Sequence, residues 1–233
     1  MSFDPHSRSK LTPRDLPRFP ENTLFHGIAR AVCEADCLPR KELFEAWEVA
    51  RRARRRFRGG RVVDLACGHA LLAHVLLLLD DSSPSALAID SHVPSSAAKI
   101  AESLQRHWPR LAGRVTILEA PMASVAAEPG DLLVSCHACG RLSDDVLDKA
   151  VAAHARVVVL PCCHEAGKHD EGGLGGWLDS ALAIDVTRAA RLERAGYAVH
   201  TQLIPRAITP KNRLLLAAPA SNDLARGRGS GQF

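Results

Sequence analysis

The amino-acid sequence predicts an α/β fold with a mostly parallel central sheet. Short apolar runs alternate with longer segments whose apolar residues recur at helical spacing. The first run, Val62–Leu65, is followed by a turn of small residues and then by the apolar segment Leu71–Leu79. Strand, tight turn and helix in this order open a βαβ unit. The runs are continuous rather than alternating, which is typical of parallel strands buried on both faces.

Length and composition bound the class of protein. At 233 residues the chain is long enough for one α/β domain with an N-terminal extension, and its net charge of +4 is mild. The seven cysteines and the polar, proline-rich start, which does not resemble a signal peptide, predict a cytoplasmic protein with free or metal-bound thiols. Leu71–Leu79 is far shorter than the ~20 residues that cross a bilayer, so we expect no membrane partner.

Four segments are predicted along the chain. Residues 1–20 hold four prolines and predict a flexible segment, whereas 21–58 predicts a helical extension. The two helices of that extension are expected over Asn22–Cys37 and Arg40–Phe57, the second with acids early and bases late, as suits the helix dipole. The main domain is expected over 59–219, followed by a Gly/Arg-rich disordered tail over 220–233.

Seven arginines crowd the end of the second predicted helix and the segment after it: Arg51, Arg52, Arg54, Arg55, Arg56, Arg58 and Arg61. One interpretation is a solvated helix face. The other is a track for RNA phosphates, with binding that weakens as salt rises. The candidate RNA-binding residues are Arg54, Arg55, Arg56 and Arg58.

A second strand, Ala86–Asp90, also closes on an acid. In nucleotide-binding α/β folds such an acid binds the ribose hydroxyls, because a carboxylate accepts two hydrogen bonds at once. Asp90 lies 26 residues after Asp64, close to the usual offset of about 20. The alternative is a surface acid in a loop.

The remaining elements follow the same alternation. Ser143 is the expected N-cap of the helix after the fourth strand, and Gly167–Gly176 is expected to form a mobile loop over the site. The predicted elements are a helix over Pro94–Trp108, a strand over Arg114–Glu119, a strand over Gly130–Ser135, a helix over Ser143–His154, a strand over Arg156–Leu160, a helix over Trp177–Ala195, and strands over Tyr197–Ile204 and Arg213–Ala217.

The turn after the first strand carries a resemblance to a known family. Asp64-Leu65-Ala66-Cys67-Gly68-His69-Ala70 resembles motif I of class I S-adenosylmethionine (SAM) dependent methyltransferases, Asp/Glu-x-Gly/Ala-x-Gly-x-Gly, with Ala70 in place of the last glycine. The resemblance implies an enzyme with SAM as cofactor and a Rossmann-like, seven-stranded, mostly parallel sheet whose last strand is antiparallel. The residues expected to contact SAM are Asp64, Ala66, Cys67, Gly68, His69, Asp90, Ser91, Met122, Ser135 and Cys136.

The predicted adenine pocket departs from the family pattern. These enzymes often place an acid after the third strand, but Glu119 comes early here and Pro121 takes the expected position. We therefore expect an apolar adenine pocket with backbone contacts from Met122.

Two clusters of cysteine and histidine follow the fourth and fifth strands, Cys136–Gly140 and Pro161–His164. Because neighbouring parallel strands end at one edge of the sheet, we expect the clusters to meet beside the reactive methyl group. Three interpretations stay open: cysteines packed as small hydrophobes, a zinc site, or histidines that position a substrate or move its proton. The zinc interpretation would use Cys139, Cys162, Cys163 and His164.

For proton transfer, His137 is the first candidate and His164 the second, because the histidine pKa lies near working pH. Asp144 or Asp145 is a candidate to orient one of these rings, or else both cap the following helix.

The clusters carry a finer resemblance. His-x-Cys-Gly with Leu-Ser-Asp (His137–Asp144), followed by Pro-Cys-Cys-His (Pro161–His164), resembles a branch that includes tRNA 2′-O-ribose methyltransferases and methyltransferase-like relatives. The likeness covers residues 61–217 and implies an RNA acceptor, although the zinc-finger segments of the tRNA enzymes are absent. The alternatives are a methyltransferase of a small molecule or protein, or a SAM-binding or metal-thiolate regulatory module without turnover. We expect a monomer or a weak dimer.

Overall fold

A seven-stranded sheet forms the centre of the molecule in the computed structural model, which describes residues 3–164 and 167–220. The strand order is β3-β2-β1-β4-β5-β7-β6; β1 to β5 are parallel, and β7 is antiparallel to both β5 and β6. The strands are β1 (Val62–Leu65), β2 (Ala86–Asp90), β3 (Val115–Glu119), β4 (Leu132–Ser135), β5 (Arg156–Val159), β6 (Tyr197–Leu203) and β7 (Arg213–Pro219). This topology confirms the predicted fold class.

Six α-helices cover the two faces of the sheet in the described residues: α1 (Leu24–Ala35), α2 (Arg40–Arg56), α3 (Leu71–Leu79), α4 (Ala97–His107), α5 (Arg141–Ala153) and α6 (Ser180–Arg194). Successive strand residues point to opposite faces, so Val62 packs with α1 to α4 and Val63 packs with α5 and α6. The continuous apolar runs thus fill two cores, one on each side of the sheet. None of the described helices has the length and apolar character needed to cross a membrane.

The start of α5 differs from the prediction. The helix begins at Arg141, after Gly140 in a positive-φ conformation (φ +58°), so Ser143 lies inside the first turn and is not the N-cap. Its hydroxyl instead donates a hydrogen bond to the Ala138 carbonyl at 2.6 Å. The serine therefore fixes the loop that leads from β4 into the helix.

Residues 3–20 pack against the domain, whereas the sequence predicted a flexible segment over 1–20. Leu11 and Phe19 are fully or almost fully buried, and Lys10 forms a β-bridge with Pro39. His6 Nδ1 lies 2.8 Å from the Ile208 carbonyl in the loop between β6 and β7. The few apolar residues that hold this segment at the carboxyl edge of the sheet were not recognised in the sequence, because they lie among prolines. The predicted tail lies, apart from residue 220, outside the described residues.

Candidate active site

The loop after β1 has a backbone that ordinarily requires glycine. Ala66, Gly68 and Ala70 have φ angles of +57°, +51° and +58°, in the left-handed region that side chains disfavour. These are the three positions at which the motif has small residues. The motif therefore places a small residue wherever every second residue of the loop adopts a left-handed conformation. The loop is anchored to β2, since the Cys67 amide donates to the Ile89 carbonyl at 3.0 Å.

Asp90 organises the same loop from the end of β2. Its Oδ2 accepts the Gly68 amide at 2.9 Å, and its Oδ1 accepts the His92 amide at 3.1 Å. The carboxylate therefore faces the β1 loop at the carboxyl edge of the sheet. Ser91, which follows it, is exposed.

The neighbouring strand end holds the predicted adenine-side residues. Glu119 lies opposite Asp90 in the parallel register, and its Oε2 accepts the Val93 amide at 2.9 Å. Met122 is half-buried and packs against the same apolar cluster as Ala66. Glu119 is thus engaged with the backbone of the β2 loop.

An acidic pocket opens beside the β1 loop. Asp64 is 1% exposed, and its Oδ2 accepts the Ala73 amide at 3.2 Å. Burial, together with the nearby Asp90 charge, raises the pKa of Asp64 to about 8. Five predicted site residues line this pocket: Asp64, Cys67, His69, Cys136 and His137.

Glu42 is a pocket residue that sequence reasoning did not assign. It comes from the first turn of α2, lines the same pocket, and places its Oε2 3.4 Å from His69 Nδ1. The other ring nitrogen of His69 lies 3.1 Å from the Ser96 hydroxyl. The cluster of acidic residues early in α2 was the one sequence feature that could have indicated Glu42. It was attributed to a favourable interaction with the helix dipole instead.

The end of β4 connects the pocket to the second cysteine cluster. Ser135 is fully buried; its hydroxyl accepts the Ala138 amide at 3.0 Å and its carbonyl accepts the Leu160 amide at 2.9 Å. Cys136 is buried as well, and burial raises the pKa of its thiol. His137 is half-exposed at the pocket and forms no hydrogen bond to another described side chain.

His164 belongs to a different arrangement, centred on Asp185 of α6. Its Nε2 lies 2.7 Å from Asp185 Oδ1, and the imidazole is 3% exposed. Arg213 Nε donates to Asp185 Oδ2 at 2.6 Å. Burial acts to raise the pKa of Asp185, but the hydrogen bonds from His164 and Arg213 outweigh it, so the pKa is lowered. His164 Nδ1 is buried and unpartnered within the described residues.

The acids expected to orient a histidine have other partners. Asp144 receives two hydrogen bonds from Arg188, at 3.1 and 2.8 Å, and Asp145 faces Arg141 at 3.9 Å. Neither pairs with His137 or His164. Asp185 holds His164 instead, and nothing in the helical pattern around it marked it for this role.

The two cysteine clusters meet, as the strand order predicted. Cys139 and Cys162 have their Sγ atoms 2.8 Å apart, and Cys163 Sγ lies 3.7 Å from Cys162 Sγ. All three Sγ atoms lie within 4.8 Å of one another. His164, the fourth ligand of the zinc interpretation, is turned toward Asp185.

The arginine run lies at the other edge of the sheet. Arg54 is 2% exposed, pairs with Asp80 at 3.2 Å, and donates to Ser83 in the loop that leads into β2. This burial corrects the prediction that Arg54 binds RNA, because its guanidinium is enclosed by protein. Arg55, Arg56 and Arg58 are exposed near the same amino edge, away from the β1 and β4 loops.

Comparisons with known proteins agree with the fold. Residues 42–168, more than half of the chain, match the sequence model of a family described as a methyltransferase domain. No curated protein matches the chain significantly.

Solved structures share the fold at low identity. A candidate O-methyltransferase from Nostoc punctiforme PCC 73102 is 14% identical with a TM-score of 0.51, covering 88% of this chain and 67% of that one. The pyocyanin biosynthetic protein PhzM is 18% identical with a TM-score of 0.50, covering 91% and 62%. A ribosomal protein L11 methylase from Lactobacillus delbrueckii subsp. bulgaricus is 14% identical with a TM-score of 0.49, covering 76% and 77%. By its family match, the chain belongs to the methyltransferase domain family and is a SAM-dependent methyltransferase.

Proposed function

We propose that the protein transfers the methyl group of SAM to an oxygen of RNA, with a ribose 2′-hydroxyl as the leading acceptor. The observation that carries the proposal is a set of exposed basic residues at the carboxyl edge of the sheet, beside the segments that hold His137 and His164. The bases are Arg141, Lys168, Arg206 and Lys211. We name this set the basic rim. Phosphates of an RNA strand along the rim would be neutralised there, and the acceptor would be aligned with the site.

The donor set around the β1 loop fits the cofactor. SAM carries positive charge on its ammonium and sulfonium groups, and the acidic pocket gathers Glu42 and Asp64 without any lysine or arginine among its lining residues. Asp90 presents two carboxylate oxygens for the ribose hydroxyls. Met122 and Ser91 would border the adenosine, and Ser135 and Cys136 would border the methionine end. When bound, SAM supplies a methyl group activated by the sulfonium.

His137 is the residue we assign to take the proton from the acceptor hydroxyl. It borders the acidic pocket and is half-exposed, so an acceptor entering over β4 reaches it directly. His164 is held by Asp185 through Nε2, and its buried Nδ1 has no hydrogen-bond partner among the described residues. Because His164 is enclosed, we assign it to shape the acceptor side of the site.

The first experiment asks which molecules take the label. Full-length protein is incubated with methyl-labelled SAM and fractionated cell extract, and the labelled product is treated with ribonuclease or protease. We expect label in a fraction that ribonuclease digests and protease leaves intact. Label in protein or in small molecules instead would refute the RNA acceptor while leaving the methyltransferase activity established.

A pair of matched variants tests the basic rim. Arg206→Gln/Lys211→Gln should weaken RNA binding and reduce the salt slope by about 1.4, since each single-strand phosphate contact contributes about 0.7. Arg55→Gln/Arg56→Gln removes the same charge at the amino edge and should leave the slope unchanged. Equal effects of the two variants would show nonspecific charge attraction and contradict the proposed RNA path. SAM affinity, measured by calorimetry, should not change in either.

A further inference from the structure

Three thiols gather at the carboxyl ends of β4 and β5, in a place where packing does not explain them. Cys33, Cys67 and Cys136 are buried and act as small hydrophobes, whereas Cys139 is exposed and Cys162 and Cys163 are only half-buried. The three come from two loops that are distant in sequence and meet because β4 and β5 are neighbours. Their meeting therefore requires a reason other than burial.

The spacing of the sulfur atoms suits a tetrahedral metal ion. With Zn–S bonds of about 2.3 Å, two thiolates on one zinc ion lie ~3.8 Å apart. Cys162 and Cys163 have Sγ atoms 3.7 Å apart, Cys139 is 2.8 Å from Cys162, and no pair exceeds 4.8 Å. The separation expected for metal-bound thiolates, ~3.8 Å, thus lies within the observed range of separations. Thiolates are the ligands that zinc prefers in closed structural sites.

A histidine, His169, lines the cleft beside two of the thiols. His169 borders the same cleft as Cys139 and Cys163, and its Nε2 lies 3.6 Å from the position that a Cβ on Gly140 would occupy. Its Nδ1 is 3.6 Å from Asp144 Oδ2. A carboxylate behind one ring nitrogen is the usual outer shell of a zinc-bound histidine. Among the described residues only the three thiols lie within 4.8 Å of one another, so the His169 ring would turn toward them when the ion binds.

We propose that the protein holds a zinc ion with Cys139, Cys162 and Cys163 as three ligands and His169 as the fourth. His164 is not assigned as a ligand, because it does not line the cleft that Cys139, Cys163 and His169 share. The ion would join the loops after β4 and β5, and thereby fix the segments that place His137 and His164. The site is separate from the acidic pocket and goes beyond the proposed methyl transfer.

The test uses full-length protein purified without oxygen, loaded with Zn²⁺ and, in a second sample, with Co²⁺. We expect one equivalent of zinc per chain. The cobalt form should show thiolate-to-metal charge transfer in the near ultraviolet and the intense visible bands of a tetrahedral site. Cys162→Ser should lose these bands, whereas Cys37→Ser, which alters a half-buried cysteine on the loop after α1, should keep them. A stoichiometry near zero, or bands that persist in Cys162→Ser, would overturn the proposal.

Two further measurements keep the test decisive. If Cys162→Ser fails to fold, zinc-dependent protection of thiols in the unaltered protein replaces it: Cys139, Cys162 and Cys163 should resist alkylation together and become reactive together when a chelator is added. Reaction at a rate independent of zinc would refute the site. His169→Ala should retain thiolate charge transfer but change the visible bands, and an unchanged spectrum would refute His169 as the fourth ligand. None of these readouts depends on RNA or on turnover.

Discussion

Arg188 offers the sharpest test of how α6 is fixed to the active-site loops. Its guanidinium is 2% exposed and binds Asp144 through two hydrogen bonds at 3.1 and 2.8 Å. It also donates to Asp185 at 3.3 Å and to the Gly140 carbonyl at 3.3 Å. Arg188→Met keeps much of the side-chain volume but removes the charge and every donor. The Asp144 and Asp185 carboxylates then remain largely buried with fewer hydrogen bonds and less nearby positive charge.

The size of the expected loss in stability depends on which basic partners Asp144 and Asp185 keep in the variant. Breaking a buried ion pair by removing one member costs about 3–5 kcal/mol. Arg191 still reaches Asp144 at 3.1 Å, and Arg213 still reaches Asp185 at 2.6 Å, so we expect the lower end, about 3 kcal/mol. With an m-value of about 3 kcal/mol/M, the urea midpoint should fall by about 1 M. The melting temperature should fall by about 6–12 °C.

The pH dependence of this loss has a definite sign. The pKa values of Asp144 and Asp185 are lowered in the folded protein: burial acts to raise them, and the hydrogen bonds that they accept outweigh it. A lowered folded-state pKa gives stability that is present above the unfolded value of about 3.9 and is lost as pH falls through the folded value. The difference between Arg188→Met and the unaltered protein should therefore be largest near neutral pH and shrink below about pH 4.

Urea denaturation at several pH values measures both effects. Arg194→Gln, an exposed change on the same helix, is the control and should shift the free energy of unfolding by less than about 0.5 kcal/mol. Arg188→Met/Asp144→Asn should recover part of the loss, because one uncompensated charge is removed with its partner. A loss for Arg188→Met no larger than that of Arg194→Gln, or one that does not change with pH, would refute the electrostatic account.

Three further predictions concern the pocket. Ala66→Gly removes the strain of an alanine in a left-handed conformation and should raise the free energy of unfolding by roughly 0.5 kcal/mol. Ala70→Gly has nearly the same φ but also loses a buried methyl group, so its free energy of unfolding should rise less. If urea denaturation shows that both variants are less stable than the unaltered protein, the strain interpretation is wrong. Because burial raises the pKa of Asp64 to about 8, the proposed contact of its carboxylate with the SAM ammonium requires the loss of a proton below that pH. Calorimetry should show SAM affinity falling up to about tenfold per pH unit below 8, an effect that Asp64→Asn should remove and that a flat profile would exclude. His137→Gln should lower turnover roughly 100-fold or more with unchanged SAM affinity, whereas full activity would remove its proton-transfer role.

The fold was predictable because its signals are local. Strands β1, β2, β4 and β5 are short, mostly apolar runs, and the turn after Val62–Leu65 carries the small residues that left-handed angles require. From the strand order alone, the loops after β4 and β5 had to share one edge. The meeting of Cys139 with Cys162 therefore followed without knowledge of any contact.

The missed residues acquire their roles only through packing. Asp185 sits in an ordinary helical pattern, and becomes the partner of His164 because α6 packs beside β7, which brings Arg213 to the same carboxylate. Glu42 resembled a helix-dipole acid until the β1 loop placed His69 beside it. Leu11 and Phe19 lie among prolines in the sequence, and their burial became evident only from the packing of their segment against the domain.

Basic residues that are adjacent in the sequence and basic residues that are adjacent on the surface form different sets, one at each edge of the sheet. Helix α2 has 17 residues and is therefore about 25 Å long, with Glu42 beside the β1 loop and the arginines at the far end. The densest basic segment of the chain thus points away from the candidate site. The basic rim combines Arg141 at the start of α5, Lys168 after β5, and Arg206 and Lys211 in the loop between β6 and β7, so no short window of sequence contains it. Removing charge at one edge or at the other therefore discriminates between the proposed RNA-binding surface and a solvated helix end.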